Sequence, residues 1–128
     1  MKYLLDTHIR VWYLVGDSRL RPRHRRMIQD PAADLWLSAI SIWEASLLIE
    51  RKRFRVRETP GGWIRQALQT LPVNEAPVTF RVAEKSRQIG IPHGDPADRF
   101  IAATAAVMNI PLLTADEALI ECPDIVCR

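Results

Sequence analysis

The apolar residues of this 128-residue chain fall into short clusters of two alternating kinds. Tyr3, Leu4 and Leu5 form a brief continuous run ending at Asp6, the signature of a buried strand. Leu35, Trp36 and Leu37 repeat that pattern, as do residues 111–114. Residues 73–78 offer a strand broken by Pro77, and Ile125 and Val126 a last one. Between these runs the apolar positions recur at helical spacing: Ile9, Trp12 and Tyr13 before a stop at Gly16; Ile42, Trp43, Ala45, Leu48 and Ile49; Trp63, Ile64, Ala67, Leu68 and Leu71; and residues 97–108. Ser18 is placed to cap a very basic helix over residues 19–29, Ser41 to open the helix of Ile42, and Thr79 to cap a helix that runs to Gln88 and ends at Gly90. Residues 116–119 read as a single helical turn. Strands alternating with helices predict an α/β fold, a mostly parallel sheet flanked by helices. The helix over residues 97–108 is alanine-rich and apolar nearly all round, which predicts burial against the sheet or another subunit.

Length and composition narrow this picture. The chain fits a single domain over residues 1–128, with no internal repeat and no linker long enough to divide it. At 48% hydrophobic and 26% charged it can bury a core without disulfides or a structural metal. A formal charge of +3 is too small to argue for nucleic-acid binding by itself. Cys122 and Cys127 match no zinc spacing and read as small hydrophobes in a reducing compartment. The first apolar run meets an acid after three residues, too soon for a signal peptide, and the most apolar stretch, residues 100–108, is about half a membrane span. A soluble cytoplasmic protein is expected.

Four acids share one kind of position. Asp6 ends the first strand, Asp116 follows the strand of Leu112, and Glu44 and Asp98 lie in the first turns of helices that follow strands. In an open parallel sheet ligands bind beyond the carboxyl ends of the strands, so all four can face one crevice. Each also has a purely structural explanation. Ser41 with Glu44 reads as a capping box, Asp95 as an N-cap before Pro96 with Asp98 at N3, and Asp6 and Asp116 as caps. The combination favours chemistry, because carboxylates about 5 Å apart repel by roughly 3 kcal/mol at an effective dielectric near 20. A cation offsets that, and hard ions such as Mg²⁺ or Mn²⁺ prefer an all-oxygen site. Such a site suits hydrolysis of phosphodiesters by an activated water. No phosphate-binding glycine loop and no G-x-S-x-G elbow is present. His8, His24 and His93 are scattered, and His93 reads as a loop residue near Asp95 and Asp98.

Two basic segments can attract a phosphate backbone to the rim of an acidic site: Arg19, Arg21, Arg23, Arg25 and Arg26, and the run Arg51, Lys52, Arg53, Arg55 and Arg57. They serve equally as solvated faces or as docking points for an acidic partner segment. Trp12, Trp36, Trp43 and Trp63 each sit in an apolar pattern and are expected in the core, with base stacking as the role of any that is exposed.

Leu4, Leu5, Asp6, Thr7 and His8 resemble the first motif of PIN domains, an apolar strand ending in Asp-Thr. Ser38 through Ser41 and Ile42, Trp43 and Glu44 resemble the second, which carries a glutamate. His93, Asp95, Pro96, Asp98 and Arg99 are similar to the His-x-Asp-Pro-Phe-Asp-Arg stretch of VapC-like toxins, with Ala97 where phenylalanine is frequent. Leu112, Leu113, Thr114 and Asp116 resemble the fourth motif. The four occur in order and cover essentially the whole chain. The resemblance implies a Rossmann-like sheet, Mg²⁺-dependent endoribonuclease activity with Mn²⁺ able to substitute, RNA as substrate, a homodimer, and an antitoxin that blocks the site. It implies Asp6, Glu44, Asp98 and Asp116 as the catalytic, metal-binding acids. Asp95, Thr7 and Arg99 are further candidates, Arg99 most simply as the ion-pair partner of a neighbouring acid.

Two other classes stay open on the residues alone. A phosphotransfer protein with an aspartyl nucleophile would carry a second acid near Asp6, where Thr7 and His8 stand instead. A catalytically silent module would use the arginines to bind RNA or a protein partner.

Overall fold

Alternation along β1 (Lys2–Leu5) decides the architecture, because its side chains supply two cores at once. Leu4 packs into one cluster with Ile101, Ala102, Leu112 and Leu119, while Leu5 enters another with Ile9, Ile28, Leu35 and Leu113. β2 (Asp34–Ser38) repeats this, with Leu35 and Leu37 on the face of Leu5 and Trp36 on that of Leu4. A strand buried on both sides needs helices on both sides, which is the physical origin of the three layers. The structure is a computed structural model that describes residues 1–92 and 95–128. His93 therefore lies outside the described residues.

With β3 (Asn74–Ala76) and β4 (Leu112–Leu113) the sheet has the order β3-β2-β1-β4, and every pairing is parallel. The chain starts in the middle, builds outward through β2 and β3, and returns to the other side of β1 only with β4. The switch point of the topology thus lies between the carboxyl ends of β1 and β4, where Asp6 and Thr114 stand.

α1 (Thr7–Val15) and α2 (Pro22–Gln29) cover the Leu5 face. α5 (Phe80–Ser86), α6 (Pro96–Met108) and α7 (Glu117–Ile120) cover the Leu4 face. α6 is the buried alanine-rich helix expected, with Ile101, Ala102, Ala103 and Ala105 inaccessible; its small side chains let it lie close on the sheet. It ends at Asn109, whose positive φ of 54° reverses the chain into β4. α3 (Ala39–Glu50) follows β2, and α4 (Pro60–Thr70), capped by Thr59, packs beside it.

Three expected boundaries move. Ser18 caps nothing, because Pro22 at the first helical position fixes the start of α2. α3 starts at Ala39 with Ser38, not Ser41, as its cap, the Ser38 hydroxyl accepting from the Ile40 amide at 3.1 Å. The last strand is a single parallel bridge between Leu112 and Cys127. No described helix is long and apolar enough to cross a membrane.

Candidate active site

Asp6 stands at the N-cap position of α1 but makes no cap hydrogen bond. Its Oδ2 instead accepts from the Thr114 hydroxyl at 2.7 Å, and its buried Oδ1 has no partner. Glu44 is displaced from the capping box by the early start of α3. It sits in the second turn, beyond the unpaired amides of the first, and its buried Oε1 also has no partner. Asp98 occupies N3 of α6 and is 8% exposed. Asp95 is the expected N-cap, accepting from the Ala97 amide at 3.0 Å. Asp116 caps α7 through the Ala118 amide at 2.9 Å, while its own amide donates to Thr114 Oγ1 at 3.0 Å.

The sheet edge brings these acids together. Among the described residues, carboxylate oxygens of Glu44, Asp95 and Asp98 lie within 4.8 Å of one another. Burial raises the Asp98 carboxyl to about 8, with the negative charges of Asp6, Asp95, Asp116 and Glu44 pushing in the same direction. Burial likewise raises Asp6 to about 6, Glu44 adding to the rise while the Thr114 hydroxyl and nearby His8 oppose it. Glu44, Asp95 and Asp98 form a set that a hard cation fits, with Asp6 and Asp116 close enough to act on Asp98 and orphaned buried oxygens on Asp6 and Glu44. The donor set is all oxygen, with no sulfur or imidazole among the three grouped residues.

The other candidates have structural duties. Thr7 donates its hydroxyl to Ser41 Oγ at 2.9 Å, tying α1 to the first turn of α3 and so fixing Asp6 relative to Glu44. Arg99 is not the expected ion-pair partner of an acid. Its guanidinium donates to the carbonyls of Ser86, Ile89 and Ile91 at 3.0–3.2 Å, holding the connection from α5 to α6. His24 is buried, its Nε2 2.8 Å from the carbonyl oxygen of Arg128. Sequence reasoning missed Thr114, the hydroxyl linking Asp6 to the start of α7; its place at the end of the fourth motif was the available signal.

A groove of about 620 Å³ opens beside the acids. Glu44, Asp95, Arg51, Arg53, Trp12 and Trp43 are among the residues that line it, with apolar side chains such as Leu47 and Phe54 between them. Trp43, expected in the core, is 54% exposed. Asp6 and Asp116 face a smaller neighbouring pocket, with His8 and Trp12 common to both.

Three layers around a parallel sheet, with crowded carboxylates beyond the strand ends at the switch point, define an α/β protein with an acidic pocket at its ligand-binding edge. The chain belongs to the PIN-domain family, whose match spans residues 3–124. It is 32% identical over 119 residues to ribonuclease VapC22 of Mycobacterium tuberculosis, covering 91% of this chain and 88% of that protein. Its fold is similar to DNA-bound VapBC of Salmonella typhimurium, with a TM-score of 0.74 at 18% identity over 100% of this chain and 97% of that one. VapBC2 of Rickettsia felis bound to promoter DNA gives 0.72 at 14% identity, covering 100% and 98%.

Proposed function

We propose that this protein is a metal-dependent endoribonuclease, the toxin of a VapBC-type pair, acting in the cytoplasm as a homodimer and silenced by a VapB-like antitoxin. The observation that carries this reading is the crowding of carboxylates around two orphaned oxygens, Asp6 Oδ1 and Glu44 Oε1. The relative named as a ribonuclease supports RNA as the substrate, and the solved VapBC complexes of the same fold support an antitoxin partner.

Asp6, Glu44, Asp98 and Asp116 are the residues that hold Mg²⁺, or Mn²⁺ in its place, and Asp95 joins them from its cap. A divalent cation there neutralises the carboxylates, lowers the pKa of water and offsets charge developing on phosphoryl oxygens. The chain's own residues prepare for it. Thr114 orients Asp6 through its hydroxyl, and the Thr7–Ser41 bond sets the separation of α1 and α3. Asp98, held largely neutral by burial, releases its proton when positive charge arrives.

The test is calorimetric titration of Mn²⁺ into antitoxin-free protein and into Asp98→Asn, followed by RNA cleavage with and without EDTA. Saturable binding that Asp98→Asn weakens sharply, with cleavage abolished by EDTA, is the expected result. RNA binding without cleavage at saturating Mn²⁺ would replace this reading with the catalytically silent module.

A further inference from the structure

Two free cysteines close the chain onto α7. Cys122 follows the helix and is buried, while Cys127 is half-buried. The Cys122 amide donates to the Leu119 carbonyl at 3.1 Å, and the Cys127 thiol donates to the same oxygen at 3.4 Å. A single carbonyl oxygen thus stands between the Cys127 sulfur and the backbone of Cys122. Cys127 pairs with Leu112 in a parallel bridge, so these two side chains leave the sheet on one face. That face packs into the core cluster that also contains Cys122. Burial raises the Cys127 thiol to about 11, and Cys122 is near enough for its charge to add to the rise.

The residues between the two cysteines are held in the shape that brings them together. Asp124 Oδ2 accepts from the Gly90 amide at 2.8 Å and from the Cys122 thiol at 3.8 Å, which fixes the bend after α7. The Leu112 amide then donates to the Val126 carbonyl at 2.9 Å, and the Arg128 amide donates to the Leu112 carbonyl at 3.0 Å. These bonds lay Cys127 beside β4. His24 Nε2, 2.8 Å from the Arg128 carbonyl oxygen, holds the segment from the other side.

We propose that Cys122 and Cys127 are a modification site, closing to an internal disulfide when a small-molecule disulfide is present as oxidant. The Cys127 thiolate attacks one sulfur of that reagent, whose S–S bond breaks and releases one small thiol. The Cys122 thiolate then attacks the Cys127 sulfur of the mixed disulfide and expels the second small thiol. The protein loses two electrons and two protons, and the reagent takes up both as its two thiols. Thiolate is scarce on Cys127 near neutrality, so closure is slow there and quickens as pH rises. Thr114 and Asp116 lie between Leu112 and Cys122 in the chain. The new bond therefore completes a ring of β4, α7 and the returning segment around them, and braces the helix that Asp116 caps.

The test equilibrates the folded protein with reduced and oxidised glutathione at pH about 8, where exchange is faster. Remaining thiols are alkylated, and unreduced peptides are mapped by mass spectrometry. The expected product joins Cys122 to Cys127 and is lighter than the dithiol by two hydrogens. Its thermal midpoint should be raised, and its unfolding constant in urea lowered roughly tenfold or more by the shorter unfolded chain. Cys122→Ser and Cys127→Ser should each abolish that gain, and Cys122→Ser should leave glutathione on Cys127.

Thiols that both stay open to alkylation at every glutathione ratio would overturn the proposal. So would a mixed disulfide on Cys127 that never closes, a covalent dimer in place of the internal link, or a link that forms only in urea. A closed form no more stable than the dithiol would overturn the bracing of α7. None of these outcomes depends on whether the protein cuts RNA.

Discussion

The Thr114 hydroxyl donates to Asp6 Oδ2 at 2.7 Å across a sequence separation of 108 residues, and the same oxygen accepts the Asp116 amide. One side chain therefore links the ends of the two strands that flank the switch point. Thr114→Val should keep the fold, since the site is fully buried and the shapes match, but free the Asp6 carboxylate. A hydrogen bond to a charged group contributes about 1.5–3 kcal/mol, so Mn²⁺ affinity should fall by roughly tenfold or more in calorimetric titration. Unchanged affinity would remove Thr114 from the positioning of Asp6.

The raised carboxyls make a signed prediction about pH. Asp6 at about 6 and Asp98 at about 8 lie above the value of 3.8 that each takes when unperturbed. Between these limits the folded state binds more protons than the unfolded chain, so the stability of metal-free protein falls as pH rises from about 4 to about 8. Mn²⁺ affinity should rise over the same interval, because binding displaces those protons. Urea midpoints in EDTA measure the first trend. Asp98→Asn should flatten it and stabilise the metal-free protein at neutral pH; a wild-type midpoint that climbs between pH 5 and 8 would contradict the assignment.

Arg99 predicts a structural loss. Its three carbonyl contacts are side-chain hydrogen bonds from α6 to the segment around residues 86–91, which also packs on α6 through Ile89 and Ile91. Arg99→Met should lower stability by about 2–4 kcal/mol, charged hydrogen bonds being among the stronger ones. Thermal unfolding in EDTA reads this directly. A drop in cleavage with unchanged melting temperature would instead give Arg99 a role at the substrate.

Arg10 predicts the opposite sign. It is 1% exposed, its Nε and Nη2 have no partner, and burial lowers it to about 10. Replacing an unpaired buried charge by an apolar side chain removes a desolvation penalty. Arg10→Leu should raise stability by about 1–3 kcal/mol in urea unfolding. Destabilisation would reveal an interaction of the guanidinium that outweighs its desolvation.

Much of this molecule is legible in local pattern. The strand runs at Leu4, Leu35 and Leu112, the stop at Gly16 and the caps at Thr79, Asp95 and Asp116 follow from chemistry within a few residues. What failed was choice between equivalent local signals. Ser38 and Ser41 can each cap a helix, and the strand pairing that carries Ser38 to the sheet edge selects the first. That choice freed Glu44 from capping and gave it an orphaned oxygen. The exposure of Trp43 is not legible, because an apolar pattern cannot tell a core position from the wall of a groove. Arg10 was not singled out, since its burial depends on how α1 and its neighbours assemble. Fold topology makes the placing of acids at one sheet edge legible, but not that Asp95 groups with Glu44 and Asp98; the Thr114 tie is not legible, because it spans nearly the whole chain.

The late arrival of β4 has a consequence for biosynthesis. Asp6, Glu44 and Asp98 are all translated before Leu112 and Leu113, yet the crevice between β1 and β4 exists only once that last strand docks beside the first. Such long-range parallel pairing is slow compared with local helix formation. A ribosome-bound chain thus carries most of its acids without the pocket that gathers them, and the site is completed only when β4 has emerged and docked beside β1.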